Sequence, residues 1–186
     1  MKIETSQLLQ QLIEQVKSHM QYAELLEKQP QKSLNTRLTP DSWSVLECIE
    51  HLNRYGKFYL PEIQKRINAS HSAPEPQFKS GLLGNHFAES MLPKAKLNRM
   101  KTFKNMNPIH SKLDGSVLQI FISQQNKLLA LLADAEKVSL NKTKTSISIS
   151  NLIKLKLGDT FRFLIYHNER HIQQAQRVLQ TIDSKF

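Results

Sequence analysis

The sequence predicts an all-α protein built as a four-helix bundle, on three observations. Four long segments carry apolar residues at helical spacing with polar residues between them. The chain of 186 residues has only 5 glycines, too few for a turn-rich β-barrel or sandwich. Its length and its 39% of hydrophobic residues suit one core, so we expect residues 1–186 to form a single domain.

The first two helices carry clear start and stop signals. Apolar residues on one stripe predict the first helix over residues 4–28, until a proline ends it. The second helix opens with Ser44 and Glu47, a capping box in which the serine hydroxyl and the glutamate carboxylate each satisfy a free backbone amide. Its apolar stripe continues through Pro61, where we expect a kink, to about Asn68.

The last two helices follow a long connection. They are predicted over residues 114–135 and 158–182. More than forty proline-rich residues separate the second helix from the third, enough to cross the bundle and make these two helices parallel. Within this crossover, residues 81–91 are expected to form a short helix. Residues 146–150 alternate like a strand, but a single strand has no evident partner, so we expect an extended linker there.

The net charge of +10 comes from two linker segments and not from a basic helix. Residues 91–113, which include Lys94, Lys96 and Lys101, carry six basic residues and no acid, and residues 137–157 carry five and no acid. These segments contain few aromatic residues and no nucleic-acid motif, so only salt-sensitive attraction to phosphate would remain. We therefore do not expect a nucleic-acid partner. If either linker borders the site of the bundle, its basic residues are expected to attract an anionic small molecule towards it.

The cysteine count and the amino terminus bear on the compartment. The lone Cys48 excludes an internal disulfide, and the first residues lack the pattern of a signal peptide, so we expect a cytoplasmic protein. No apolar run approaches the roughly eighteen residues of a membrane span, and no membrane partner is expected. Cys48 itself is interpreted as a packing residue, because free cysteines are usually buried.

Three of the seven histidines are placed to share a metal ion. His167 and His171 are four residues apart on the fourth helix, so they project from the same face one turn apart. His51 lies at the edge of the apolar stripe of the second helix, one turn after Glu47. Two interpretations stay open here: the three imidazoles bind a divalent metal, or they are structural histidines satisfied by hydrogen bonds.

Three neighbouring residues are candidates for supporting such a site. Glu47 is explained by the capping box, and orienting His51 is its alternative role. Gln174, three residues after His171, either orients that ligand or satisfies a buried carbonyl. Trp43 is interpreted as an apolar cover on the start of the second helix, with stacking on a substrate as the alternative.

Two patterns in the chain resemble the DinB-like superfamily. Residues 43–52, WSVLECIEHL, are similar to its early pattern W-S-x-x-E-x-x-x-H-L. Residues 167–174, HNERHIQQ, are similar to its late pattern H-x-x-x-H-x-x-Q. The resemblance spans nearly the whole chain. It implies a DinB-like four-helix bundle whose long crossover joins helices two and three in up-down-down-up order.

The same resemblance implies a function. It implies a divalent metal, nickel, zinc or iron, held by His51, His167 and His171. Similar proteins use metal-bound thiolate for thiol transfer or metal-bound water for hydrolysis. We therefore expect a metal-dependent transferase or hydrolase of a small electrophilic substrate, with a low-molecular-weight thiol as the candidate co-substrate. Similar bundles commonly dimerise, which adds a homodimer to the expectations. The alternative is a non-catalytic bundle that binds nucleic acid or other anions through its basic linkers.

Overall fold

The computed structural model describes residues 1–93 and 102–184, and of Asn151 the backbone only. The described chain is mostly helical, which confirms the predicted all-α class. In chain order the helices are α1 (Thr5–Leu26), α2 (Gln31–Asn35), α3 (Val45–Asn68), α4 (Leu82–Met91), α5 (Ser116–Ala135) and α6 (Leu157–Asp183). The long helices α1, α3, α5 and α6 are the four predicted from the sequence. Among the described residues, no helix combines the length and apolarity needed to cross a bilayer.

The four long helices pack against one another around buried apolar residues. Helices α1 and α3 each pack against both α5 and α6. Two buried apolar clusters fill the two ends of this arrangement. The first cluster includes Leu12, Ile63, Leu132 and Phe161. The second cluster includes Leu26, Leu46, Leu118 and Val178. Residue numbers rise from the first cluster to the second along α1 and α6 and fall along α3 and α5.

The start of α3 has the predicted capping box. The Ser44 hydroxyl accepts the N–H of Glu47 at 3.3 Å, and the Glu47 carboxylate accepts the N–H of Ser44 at 2.9 Å. Because the capping box satisfies two of the backbone amides that lack a partner within the helix, the start of α3 is well defined. It then continues through Pro61 to its end at Asn68.

The crossover between α3 and α5 is more ordered than the sequence indicated. Its predicted short helix forms as α4. Two short strands, β1 (Lys2–Glu4) and β2 (Gln77–Lys79), pair antiparallel with Ile3 opposite Phe78. These strands, helix α2 and a 3-10 turn at Lys104–Met106 were not predicted, because each is too short to show a periodicity.

The expectation of an unpaired extended linker at residues 146–150 is wrong. Strands β3 (Lys144–Ile147) and β4 (Ser150–Lys156) form an antiparallel hairpin with Thr145 opposite Leu155. Thr145, Ile147 and Leu155 are buried, whereas Lys144 and Lys154 are exposed. The missing partner strand is visible in the sequence as the alternation of apolar residues and lysines over residues 153–156.

The two basic segments, residues 91–113 and 137–157, differ in how much of each the structure describes. Of the first, Lys94, Lys96, Arg99 and Lys101 lie outside the described residues. The second contributes the whole β3–β4 hairpin. Lys144, Lys154 and Lys156 therefore belong to an ordered hairpin, whereas Lys137 and Lys142 lie in the turns that precede it.

A buried ion pair holds α4 alongside the first turns of α6. Asp159 accepts hydrogen bonds from the Ser80 hydroxyl and from the Gly81 N–H, the latter at 2.9 Å. Arg162 donates to Ser80 Oγ and to Asn85 Oδ1 at 2.9 and 3.0 Å. Both charged side chains are buried. Because their partners lie on α4 and on the residues leading to it, the pair fixes α4 beside α6.

The second residue of α6, Gly158, tests how closely this helix packs on β2. A Cβ added at Gly158 would lie 2.5 Å from Cε2 of Phe78. Phe78 is fully buried and has little room to move. Gly158→Ala should therefore lower the free energy of unfolding by about 1–3 kcal/mol, as measured by urea denaturation.

The matched control is Gly115→Ala at the start of α5. A Cβ at Gly115 would meet no atom within 4 Å, and the residue already has helical backbone angles. This change should leave stability unaltered or raise it by about 0.4–1 kcal/mol. Equal effects of the two substitutions would contradict the close packing of α6 on β2.

Candidate metal centre

Three histidine side chains from two helices meet in the interior of the bundle. His51 lies on α3, His167 and His171 lie one turn apart on α6, and all three are buried. The Nε2 atoms of His51 and His167 are 3.2 Å apart. One ring nitrogen from each histidine lies within 4.8 Å of the other two. The structure thus brings together the three residues that the sequence singled out, at distances that suit one shared metal ion.

Hydrogen bonds orient two of the three rings. Nδ1 of His51 donates to the backbone carbonyl of Met106 at 2.7 Å. Nδ1 of His171 donates to Oε1 of Gln174 at 2.9 Å, so Gln174 makes the contact that its orienting role requires. In a neutral imidazole a protonated Nδ1 leaves a lone pair on Nε2. Both rings therefore have a defined nitrogen available to a metal.

Burial keeps the three imidazoles uncharged. Desolvation lowers the pKa of His51 to about 4, against the opposing effect of its hydrogen bond to Met106. Desolvation also lowers the pKa of His167 and that of His171 well below the ordinary value. His171 and His51 lower the pKa of His167 further, and His51 lowers that of His171. At neutral pH all three rings are in the form that can act as a metal ligand.

The ring of His167 is not fully satisfied by the protein groups described. Its Nδ1 is buried and has no hydrogen-bond partner among those groups. If Nε2 carries the proton and donates to His51, the lone pair of Nδ1 is left unpaired. If Nδ1 of His167 carries the proton, the Nε2 lone pairs of His51 and His167 face each other and repel. A cation bound between the two Nε2 atoms would remove this repulsion, because both lone pairs could coordinate it. The donor set therefore fits a divalent transition metal.

Aromatic side chains surround the three imidazoles. The ring centre of Trp43 is 4.7 Å from that of His51. Tyr55 and Phe163 flank His167, with ring centres at 4.4 and 5.9 Å. Trp43 thus covers the histidine cluster as well as the start of α3, and the cluster lies in apolar surroundings.

A short segment of the crossover, residues 105–110, lies across α3 and is called the crossover strap below. The backbone carbonyl of Met106 in this strap accepts the hydrogen bond that orients His51 on α3. Nη1 of Arg54 donates to the carbonyls of Asn105 and Asn107 at 3.3 and 2.9 Å. Nε1 of Trp43 donates to Oδ1 of Asn107 at 3.1 Å. Sequence reasoning missed this segment, because a backbone acceptor has no signature in residue type.

Glu47 is tied to the crossover strap. Within the described chain, its carboxylate accepts hydrogen bonds from Ser44, from Nε and Nη2 of Arg37 at 2.9 and 2.6 Å, and from the N–H of His110 at 2.7 Å. Burial by itself would raise the pKa of Glu47, but these hydrogen bonds outweigh burial and lower it. The described contacts link Glu47 to His51 through the crossover strap and not directly.

Cys48 lies in the second apolar cluster, one residue after Glu47. Its side chain is fully buried, and burial raises the pKa of the thiol far above its ordinary value. A buried thiol held in the protonated form is a poor metal ligand, which agrees with the packing role predicted for it.

A cavity of about 870 Å³ adjoins the histidines, and all three line it. Its walls come from α3, α4, α6, the β3–β4 hairpin and residues near the crossover strap. Much of the lining is apolar or aromatic, including Tyr55, Tyr59, Phe87, Ile147, Leu155 and Phe163. Arg170 and Gln174 add polar groups. The cavity has the size and the lining of a site for a small organic molecule.

The Glu47 carboxylate should contribute strongly to stability. Glu47→Gln removes the charge that Arg37 and two backbone amides share, so at pH 7 the free energy of unfolding should fall by about 2 kcal/mol or more. The folded pKa of Glu47 lies below the unfolded value, so the unfolded state takes up the proton first as the pH falls. The deficit of the variant should therefore shrink below the ordinary glutamate pKa of 4.5. Urea denaturation at several pH values measures both effects.

Glu50→Gln is the matched control on the same helix. Glu50 pairs with Arg54, and both side chains are partly exposed. Its loss should cost less than about 1 kcal/mol. A Glu47→Gln effect no larger than this, or one that persists unchanged in acid, would contradict the anchoring role of Glu47.

Comparison with known proteins places the chain in a family. A family model described as the DinB superfamily matches residues 14–175. This span includes the three histidines, Glu47, Gln174 and every residue that lines the cavity. No curated protein and no solved structure gives a match. Because the family match covers most of its length, the chain belongs to the DinB superfamily.

Proposed function

We propose that His51, His167 and His171 hold a divalent transition metal in an up-down-down-up bundle. The protein then acts as a metal-dependent thiol transferase or hydrolase of a small electrophilic substrate. One observation carries the proposal: three buried, neutral imidazoles converge at the edge of a cavity, and the described protein groups leave one of them unsatisfied. A purely structural histidine cluster would be expected to pair its buried nitrogens within the protein.

The ligand set favours a catalytic centre over a structural one. Within the described residues, the group of potential ligands contains three histidines and no cysteine or carboxylate. Structural zinc sites use four protein ligands, whereas three leave a coordination position for a substrate. Nickel, zinc and iron all suit imidazole ligands. When bound, such a metal would lower the pKa of a water or thiol and so supply a nucleophile at neutral pH.

The protein's own groups orient the ligands and shape the substrate site. Met106 and Gln174 hold the Nδ1 atoms of two histidines, which leaves their Nε2 atoms to ligate. Burial raises the pKa of Tyr55 to about 12, so its hydroxyl stays protonated at neutral pH. Tyr55 lines the cavity and can donate a hydrogen bond to a substrate there.

The cavity lining supports a substrate with an apolar body. Aromatic and aliphatic walls bind aryl or alkyl groups through burial of apolar surface. The volume of about 870 Å³ accommodates a small electrophile together with a low-molecular-weight thiol. We therefore infer that both reactants of a thiol transfer fit in this one cavity.

Metal content tests the first half of the proposal. The purified, dialysed protein should hold at least about half an equivalent of nickel, zinc or iron by elemental analysis. His167→Gln should lose most of this metal, because an amide replaces one of three imidazole ligands. His71→Gln is the matched control, since His71 is exposed and outside the cluster. Lower metal content in the wild type, or equal content in the two variants, would contradict the metal site.

Reactivity tests the second half. The metal-loaded protein should accelerate one of two reactions. In the first, the thiolate of glutathione or cysteine displaces halide from an activated aryl halide, and in the second, water cleaves an aryl ester to the carboxylic acid and the phenol without thiol. Saturation by the thiol identifies a transferase, and ester cleavage alone identifies a hydrolase. The rate should vanish with a chelator and in His167→Gln, and persist in His71→Gln. A protein that holds metal but accelerates no reaction in such a panel would contradict the enzymatic half alone.

A further inference from the structure

The exposed apolar side chains are concentrated around the cavity. Of the ten large apolar side chains exposed in the described chain, seven lie on or beside cavity-lining segments. They are Leu82, Leu83, Leu92, Phe103, Ile149, Leu152 and Ile153. Leu82 at the start of α4 is 97% exposed, and Leu152 on β4 is 94% exposed. Leu152 alternates with Lys154 and Lys156 along β4, so these three side chains lie on one face of the hairpin. Lys156 in turn lies beside Gly81, the residue before Leu82. Exposed apolar groups that lie together in this way mark an interaction surface.

The same face carries unpaired positive charge. Lys144 of β3 lies directly opposite Lys156 of β4, and Lys154 is two residues away on the same strand. Within the described residues, no carboxylate forms an ion pair with Lys144 or Lys154. Like charges paired across a hairpin destabilise it in isolation. An anionic partner on this face would relieve that repulsion.

The presence of both lysines and exposed leucines on this face indicates the kind of partner that it fits. A second copy of the chain would bring lysines against lysines. Nucleic acid would satisfy the lysines but gain nothing from Leu82 and Leu152. An anionic bilayer satisfies both, because its headgroups attract the lysines and its acyl boundary accepts the apolar side chains.

We propose that α4 and the β3–β4 hairpin form a lipid-facing surface that binds anionic bilayers without crossing them. This departs from the expectation of no membrane partner, which rested on the lack of a spanning segment and does not concern binding at the bilayer surface. The surface is held in place from inside the protein. The Asp159–Arg162 pair fixes α4, and Glu62 accepts the N–H of Ser146 on β3 at 2.7 Å. The proposal goes beyond the proposed reaction, because Leu82, Leu152, Lys144 and Lys154 are neither metal ligands nor part of the cavity lining.

Vesicle sedimentation with the full chain tests this surface. The protein should sediment with phosphatidylcholine vesicles that contain about 30% phosphatidylglycerol, and not with phosphatidylcholine alone. Binding should fall when salt is raised to about 0.5 M, because the Debye length shortens. Equal binding to both kinds of vesicle, or binding to neither, would overturn the proposal.

Two pairs of matched variants locate the surface. Lys144→Gln with Lys154→Gln should weaken vesicle binding about tenfold or more. Lys28→Gln with Lys32→Gln, both exposed elsewhere, removes the same net charge and should have little effect. Leu82→Ser with Leu152→Ser should also weaken binding about tenfold or more. Its control is Leu25→Ser with Ile120→Ser, which changes two exposed apolar residues outside this face.

Two further outcomes would overturn the proposal in favour of another partner. A dimer that dissolves in the Leu82/Leu152 variant, without vesicle binding by the wild type, would make the face a self-association surface. Binding of duplex DNA that depends on Lys144 and Lys154, again without vesicle binding, would make it a nucleic-acid surface. Metal content, measured in every variant, should stay at the wild-type value. A failure here is therefore distinguishable from a failure of the metal site.

Discussion

The buried carboxylate of Glu47 joins three parts of the chain that are distant in sequence. It caps the first turn of α3, pairs with Arg37 on the approach to that helix, and accepts the N–H of His110 on the crossover strap. A buried carboxylate is tolerated only with such donors, so the three segments are stable together and not separately. The strap in turn orients His51. The histidine cluster thus depends on an ion pair that contains none of its members.

The long helices supply the candidate ligands, whereas the crossover and the β3–β4 hairpin supply part of the cavity wall. Helices α3 and α6 supply the three imidazoles. Half of the residues that line the cavity come from the crossover and the β3–β4 hairpin, and the rest come from α3, α6 and residues 39–43. The hairpin is anchored on α3, where the Tyr59 hydroxyl accepts the N–H of Ser148 at 3.2 Å. Substrate selection can therefore change through the inserts while the ligand scaffold stays constant.

Periodicity and capping predict the four long helices, because both are local patterns. Local spacing singles out the three histidines, whereas their role as ligands of one metal comes from the family resemblance. The alternation of residues 146–150 alone does not predict the hairpin, because the partner strand shows only in the alternation of residues 153–156. The crossover strap was beyond prediction, because its contacts join residues more than fifty positions apart through backbone atoms. The sequence predicts only the capping role of Glu47, because the cap joins neighbouring residues. Its hydrogen bonds to Arg37 and His110 join residues farther apart in the chain and leave no local pattern. Long-range polar contacts thus account for most of what residue patterns did not predict.

The hydrogen bond from His51 to a backbone carbonyl affects how the site can evolve. Any amino acid at position 106 presents the same carbonyl oxygen, so substitution there alters packing but keeps the acceptor. By contrast, the acceptor for His171 is the side chain of Gln174, which a single codon change can remove. Random substitutions therefore leave the acceptor for His51 in place but can remove the acceptor for His171. In a scan of single substitutions, changes at position 174 should therefore remove the hydrogen bond to His171. Changes at position 106 should leave the hydrogen bond to His51 intact, although the two contacts are similarly short.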